Sequence, residues 1–195
     1  MSLKLAGYIG SLIIVCSCVA PTKKMSGDKV ILYPFAKDSL LIRIRDLAGR
    51  VKPGDTVHFV YYGDQSLKSG KIMEEIIEKY KAQLSDRHYV FVGIAHFGEY
   101  RPRRRRDFIP PSVESQNGYE GISANYGQAD SFYYFLVDKI RPFAENKFSS
   151  TNIQRSWIGH SLGGLFASYL LLNGDSLFTD LYALSPALWI DDYHL

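Results

Sequence analysis

The chain has 195 residues, with hydrophobic side chains at 46% and charged ones at 22%. That is the composition of one globular domain with a sizeable core, and it excludes a disordered polymer or two full-size domains. The net charge of +3 is too small to point to a nucleic-acid partner, and two cysteines, Cys16 and Cys18, build no disulfide framework.

Residues 5–15 form an apolar run behind Lys4. The run has the length of a secretory signal core and falls short of the about 20 residues that span a bilayer. Val15-Cys16-Ser17-Cys18 is similar to a lipoprotein cleavage box. It predicts a signal peptide over residues 1–17 and a lipidated N-terminus at Cys18, with a plain secretion signal and an uncleaved anchor as alternatives. The expected location is therefore secreted, or anchored as a lipoprotein to a membrane surface of a bacterial cell envelope. Residues 18–27 lack periodicity and read as a linker, which leaves 28–195 as the folded domain.

Residues 30–33 and 40–44 are short β-rich runs around Pro34, predicted as an edge hairpin. Pro53-Gly54-Asp55 is a turn, and Thr56–Tyr62 is a β-branched and aromatic run predicted as a buried strand. Residues 69–84 place Ile72, Ile76, Tyr80 and Leu84 on one helical stripe beside Ile77. A strand follows over 89–95 and a helix over 130–147, with Pro142 bending its last turns. Residues 156–158 read as a strand, Leu162–Leu172 as a helix and 181–184 as a final strand. Strands alternating with helices predict an α/β fold, a mostly parallel sheet covered on both faces. The stretch 96–129 reads as one long irregular connection, functional or mobile.

Within it, Arg101, Arg103, Arg104, Arg105 and Arg106 crowd around Pro102. The run fits a clamp for anionic or aromatic substrate, or a solvated loop in which Arg106 pairs with Asp107. His96 reads as an ordinary loop histidine, and no residue spacing suggests a metal site or a cofactor.

The most informative segment is Gly159-His160-Ser161-Leu162-Gly163-Gly164. Its Gly-x-Ser-x-Gly core lies directly between a predicted strand and an apolar helix, the context of a nucleophile elbow. A serine on so sharp a turn needs glycines around it, and the helix launched there aims its first amides at developing negative charge. Ser161 is thus the candidate nucleophile and the Leu162 amide the first oxyanion donor. Asp64, just after the third strand, is the candidate second backbone donor. A serine that merely caps the helix is the alternative.

These residues carry a resemblance. The elbow, Ala183-Leu184-Ser185-Pro186-Ala187-Leu188-Trp189 and Arg106-Asp107-Phe108-Ile109-Pro110 resemble the putative esterase family, which includes esterase D and enterochelin-type siderophore esterases. The likeness spans about residues 30–195 and implies an α/β-hydrolase fold. It also implies a serine carboxylic-ester hydrolase that works through an acyl-enzyme on Ser161, acting on a siderophore-like or other aromatic ester. Ser185 and Trp189 follow the sixth strand at the nucleophile's end of the sheet, where they line the pocket or simply pack, and Arg106 is the substrate-contact candidate of the arginine run.

The family orders its triad as serine, acid and histidine, the last two far downstream. On that pattern the chain is expected to lack the last strands and helix, and with them the triad partners. Asp175, Asp180, Asp191, Asp192 and His194 fall at none of the family's positions. The other reading is accordingly a noncatalytic or vestigial fragment that keeps the elbow alone.

Overall fold

A computed structural model of the chain describes residues 28–35, 38–65, 68–85, 87–98, 100–111, 127–148, 152–174 and 176–191. The expected signal peptide, linker and Cys18 lie outside the described residues, as do Asp175, Asp192 and His194.

Six strands form one sheet in the order β1-β2-β4-β3-β5-β6. The leading hairpin is β1 (Asp28–Phe35) against β2 (Asp38–Asp46), antiparallel as the sequence predicts, and β2 runs antiparallel to β4 (Tyr89–His96). From there the sheet is parallel through β4, β3 (Thr56–Tyr62), β5 (Asn152–His160) and β6 (Asp180–Leu184). Residues of β3 alternate between two apolar clusters, as a strand covered on both faces must. Val57, Phe59 and Tyr61 join one cluster, while Val60 and Tyr62 join the other.

The smaller cluster is closed by α1 (Lys68–Lys79), followed by the short α2 (Lys81–Ser85). Here the predicted stripe is corrected. Ile72, Ile76 and Tyr80 face solvent, and the helix packs through Met73 and the fully buried Ile77. The register is set by Gly70, where a Cβ would lie 2.2 Å from the Gln65 carbonyl oxygen, so that face must press on the chain leaving β3.

Opposite lies the larger cluster, covered by α4 (Ala129–Phe135), α5 (Arg141–Glu145) and α6 (Leu162–Leu172). Between α4 and α5, Leu136–Ile140 widens into a π-helical turn. The distortion expected at Pro142 thus falls one turn earlier, where the Arg141 amide reaches back to the Leu136 carbonyl. A second correction concerns the supposed irregular stretch, because Tyr100–Phe108 is helix α3. Its arginines hide any apolar period, and only its C-terminal Asp107 and Phe108 are buried.

Trp157 of β5 anchors the larger cluster. It is fully buried and meets Phe108, Phe132, Phe166 and Phe178 at ring-centroid separations of 5.1 to 6.3 Å. Tilted and edge-on contacts of this kind add about 1 kcal/mol each beyond area burial. Its indole N–H donates to the Gly163 carbonyl at 3.1 Å, tying that core to the first turn of α6.

Candidate active site

The parallel strands β3, β4, β5 and β6 end on the same side of the sheet, where such folds bind ligands. The backbone just past these strand ends is strained. Four non-glycine residues among those described have positive φ, and three of them stand within two residues past the carboxyl end of a strand. These are Asp64 (58°) after β3, Ser161 (56°) after β5 and Ser185 (42°) after β6. Each such conformation costs about 1–3 kcal/mol and persists only where the surroundings enforce it, typically at functional sites.

At Ser161 the enforcement is visible. With φ 56° and ψ −114°, it forms the bend between β5 and α6. The Ser161 amide donates to the Leu184 carbonyl at 3.0 Å. The Ser161 carbonyl accepts from Leu165 at 2.9 Å, within the helix, and from Ala187 at 3.1 Å. The segment leaving β6 therefore braces the turn at Ser161. Gly164 allows this close approach, since a Cβ there would meet Pro186 Cα at 3.0 Å. The crowding is tightest at Gly159, where a Cβ would lie 1.9 Å from the Gly163 carbonyl oxygen. Gly163 itself is different from expectation, because a Cβ there would touch nothing closer than 3.9 Å. The glycines needed sterically are the one before the serine and the second one after it.

Leu162 opens α6 and is buried, with its amide in the helix's unpaired first turn. Asp64 is 4% exposed. The neighbouring Gln65 amide is spent on the Ile94 carbonyl at 3.1 Å, whereas no described group accepts from the Asp64 amide. Of the two neighbours after Gly63, Asp64 is thus the one with a donor to offer. Its carboxylate lies against the elbow as well, with Oδ2 3.9 Å from where a Gly163 Cβ would sit. Gly63 itself is required, because a Cβ would lie 2.9 Å from the Phe108 ring.

The arginines of α3 are structural to a degree that their sequence conceals. Arg106 is committed to protein carboxylates: Nε donates to Asp107 Oδ1 at 2.5 Å and Nη1 to Asp38 Oδ2 at 2.8 Å. The hydrogen bond that it donates to Asp107 holds its pKa above the ordinary guanidinium value. Arg103 pairs with the other oxygen of Asp38 at 2.8 Å. The pairing of Arg106 with Asp107 is the geometry present, and a guanidinium so engaged is not presented as a free clamp. Arg104, by contrast, reaches the elbow, donating from Nε to Asp64 Oδ1 at 2.6 Å and from Nη2 to the His160 carbonyl at 3.1 Å.

His96 ends β4 on this side, but its Nε2 donates to Asp107 Oδ2 at 2.9 Å and the ring is buried against Phe108. It is an internal strut rather than a loop residue. Ser185 is exposed directly after β6, and Trp189 is half exposed in the short helical turn Leu188–Asp191. Both lie on the strand-end side with Ser161. Sequence reasoning missed the bracing by Leu184, Pro186 and Ala187 and the reach of Arg104. The Ser-Pro pair after the last strand was the available signal for the first; nothing local signalled the second.

A leading antiparallel hairpin, a parallel sheet in this strand order and a strained serine between strand and helix define an α/β-hydrolase. The family model described as "Putative esterase" matches residues 52–192, and the chain belongs to that family. Among curated proteins it is 37% identical over 97 residues to the siderophore enterobactin esterase of Emericella nidulans, covering 46% of this chain and 32% of that protein. It is 30% identical over 106 residues to the ferri-bacillibactin esterase BesA of Bacillus subtilis, covering 51% and 36%. Among solved structures, the siderophore hydrolase EstA from Aspergillus nidulans superposes with a TM-score of 0.71 at 24% identity, covering 90% of this chain and 63% of that one. The matches thus span about a third of the curated relatives' length and under two thirds of that solved structure.

Proposed function

We propose that the chain carries the nucleophile and oxyanion site of a serine carboxylic-ester hydrolase acting on siderophore-like esters. The observation that carries this reading is the positive-φ Ser161, held between β5 and α6 by hydrogen bonds from both sides. Ser161 Oγ attacks the ester carbonyl carbon, and a general base takes its proton. The carbonyl oxygen gains the negative charge and is met by the Leu162 and Asp64 amides. One such donor lowers the barrier by about 3 kcal/mol. Collapse of the tetrahedral species expels the alcohol and leaves an acyl-enzyme, which water hydrolyses.

The substrate class is taken from the relatives, whose names specify enterobactin, triacetylfusarinine C and ferri-bacillibactin. Ser185 and Trp189 would line the acyl or aromatic side of the pocket, and Arg106 would act there only through its neighbours. Lipidation at Cys18, placing the domain on a membrane surface of the cell envelope, is part of the same proposal. It is checked by fatty-acid labelling that disappears in Cys18→Ser.

The test of the function is hydrolysis of those three siderophores alongside p-nitrophenyl acetate, followed chromatographically. Cleavage that is lost in Ser161→Ala supports the reading. A folded chain that cleaves none of them supports a noncatalytic module instead.

A further inference from the structure

The second oxyanion donor belongs to an aspartate, which poses a problem. A carboxylate 4% exposed beside the site of a developing oxyanion opposes the charge that its own amide is meant to stabilise. Like charges about 6 Å apart, at an effective dielectric constant of about 20, slow a reaction by about 100-fold. The structure supplies a counter-charge at that position. Arg104 Nε donates to Asp64 Oδ1 at 2.6 Å while Nη2 of the same guanidinium donates to the His160 carbonyl at 3.1 Å. The arginine is mostly buried and lies 5.9 Å over the Phe108 ring. It therefore grips both strained turns, the one at Asp64 and the one entering Ser161.

We propose that Arg104 is the positioning residue of the oxyanion site, where it cancels the Asp64 charge and fixes the β3 loop to the nucleophile elbow. Its planar fork satisfies two acceptors, one in the loop after β3 and one at the end of β5, which a lysine cannot do with the same geometry. Nothing in this role requires Arg104 to touch substrate, so its removal acts on the rate of the chemical step rather than on ground-state binding.

The inference rests on the proposed hydrolase reading, and the experiment separates the two. Kinetics of p-nitrophenyl acetate hydrolysis are measured for the parent, Arg104→Gln, Arg104→Lys and the double variant Arg104→Gln with Asp64→Asn. Expected is a kcat about 100-fold lower in Arg104→Gln with KM nearly unchanged, a smaller loss of about tenfold in Arg104→Lys, and recovery of at least about tenfold in the double variant. A role in packing alone predicts no recovery on removing the opposing carboxylate.

Amide hydrogen exchange of residues 63–65 and 159–163 is read on the same proteins. It accelerates in Arg104→Gln and stays fast in the double variant, which regains charge balance but not the tether to the His160 carbonyl. If Arg104→Gln keeps parental kcat, or the double variant stays as slow as the single one while both melt cooperatively, the proposal is overturned. If Arg104→Gln does not fold, Arg104→Lys decides: a kcat about 100-fold below the parent shows that the charge is not what matters. If the parent itself is inactive, the hydrolase reading fails, and unchanged exchange in Arg104→Gln then independently overturns the role given to Arg104.

Discussion

Gly159 and Gly163 meet backbone to backbone: a Cβ on the first would lie 1.9 Å from the carbonyl oxygen of the second. The strand entering the elbow and the helix leaving it are in direct contact, with no room for a methyl group on the strand side. On the helix side there is room, because a Cβ on Gly163 would approach nothing closer than 3.9 Å. Gly159→Ala is expected to cost more than about 4 kcal/mol or to abolish folding. Gly163→Ala is expected to be neutral, or to stabilise by up to about 1 kcal/mol through helix propensity. Urea unfolding followed by circular dichroism checks both.

A second prediction concerns the far end of β5. Arg155 closes on Glu145 with two parallel hydrogen bonds, at 2.8 and 2.7 Å, and Tyr61 donates to the same carboxylate at 2.8 Å. Glu145 is almost fully buried, while Arg155 keeps some contact with water. Arg155→Met leaves the carboxylate uncompensated and is expected to cost about 3 kcal/mol, the low end for breaking a buried pair. A loss under about 1 kcal/mol in urea unfolding would contradict this assignment.

The tyrosines give a pH prediction. Burial first, then the neighbouring Asp130, pushes Tyr169 up to about 12. Burial together with Glu74 raises Tyr62, and burial together with Glu145 raises Tyr61, both well above the ordinary range. These phenols keep their protons in the folded chain after the unfolded chain has lost its own near pH 10. Their stabilisation is therefore complete below about pH 10 and is lost as the pH climbs through the folded values. Phenolate absorbance should show a late phase behind the bulk of the 14 tyrosines. Stability to urea should be flat up to about pH 10 and fall above it. A single titration near pH 10 would show that the three groups are not held as described.

A fourth prediction comes from the sheet's outer strand. Among the described residues, β6 has β5 on one side and no strand on the other. Tyr182 (50%) and Leu184 (50%) lie exposed on it. An apolar edge of this kind invites pairing with another chain. The 195-residue chain is expected to self-associate in sedimentation velocity, and Tyr182→Lys with Leu184→Lys to suppress it. A concentration-independent monomer would speak against the edge as a sticky surface.

The elbow was legible in the sequence because its chemistry is local: glycines beside a serine, a strand before and an apolar helix after. The strand pattern was legible for the same reason, from Thr56–Tyr62 to the final strand. What stayed hidden depends on partners distant along the chain. Arg104 finds Asp64 across 40 residues and Arg106 finds Asp38 across 68, so the arginine run looks solvated until the sheet brings those carboxylates together. The stripe on α1 misled because Ile72, Ile76 and Tyr80 are as apolar as a core face. Only the close approach of Gly70 to Gln65 shows which side turns inward.

Peptide mapping by mass spectrometry after incubation with a fluorophosphonate examines the proposed role of Ser161, with Ser161→Ala as the control. One covalent phosphonate on the peptide containing Ser161, absent from the control, is the predicted result. A folded chain that gains no adduct there, or gains the same adduct after Ser161 is replaced, contradicts the role of Ser161 as nucleophile.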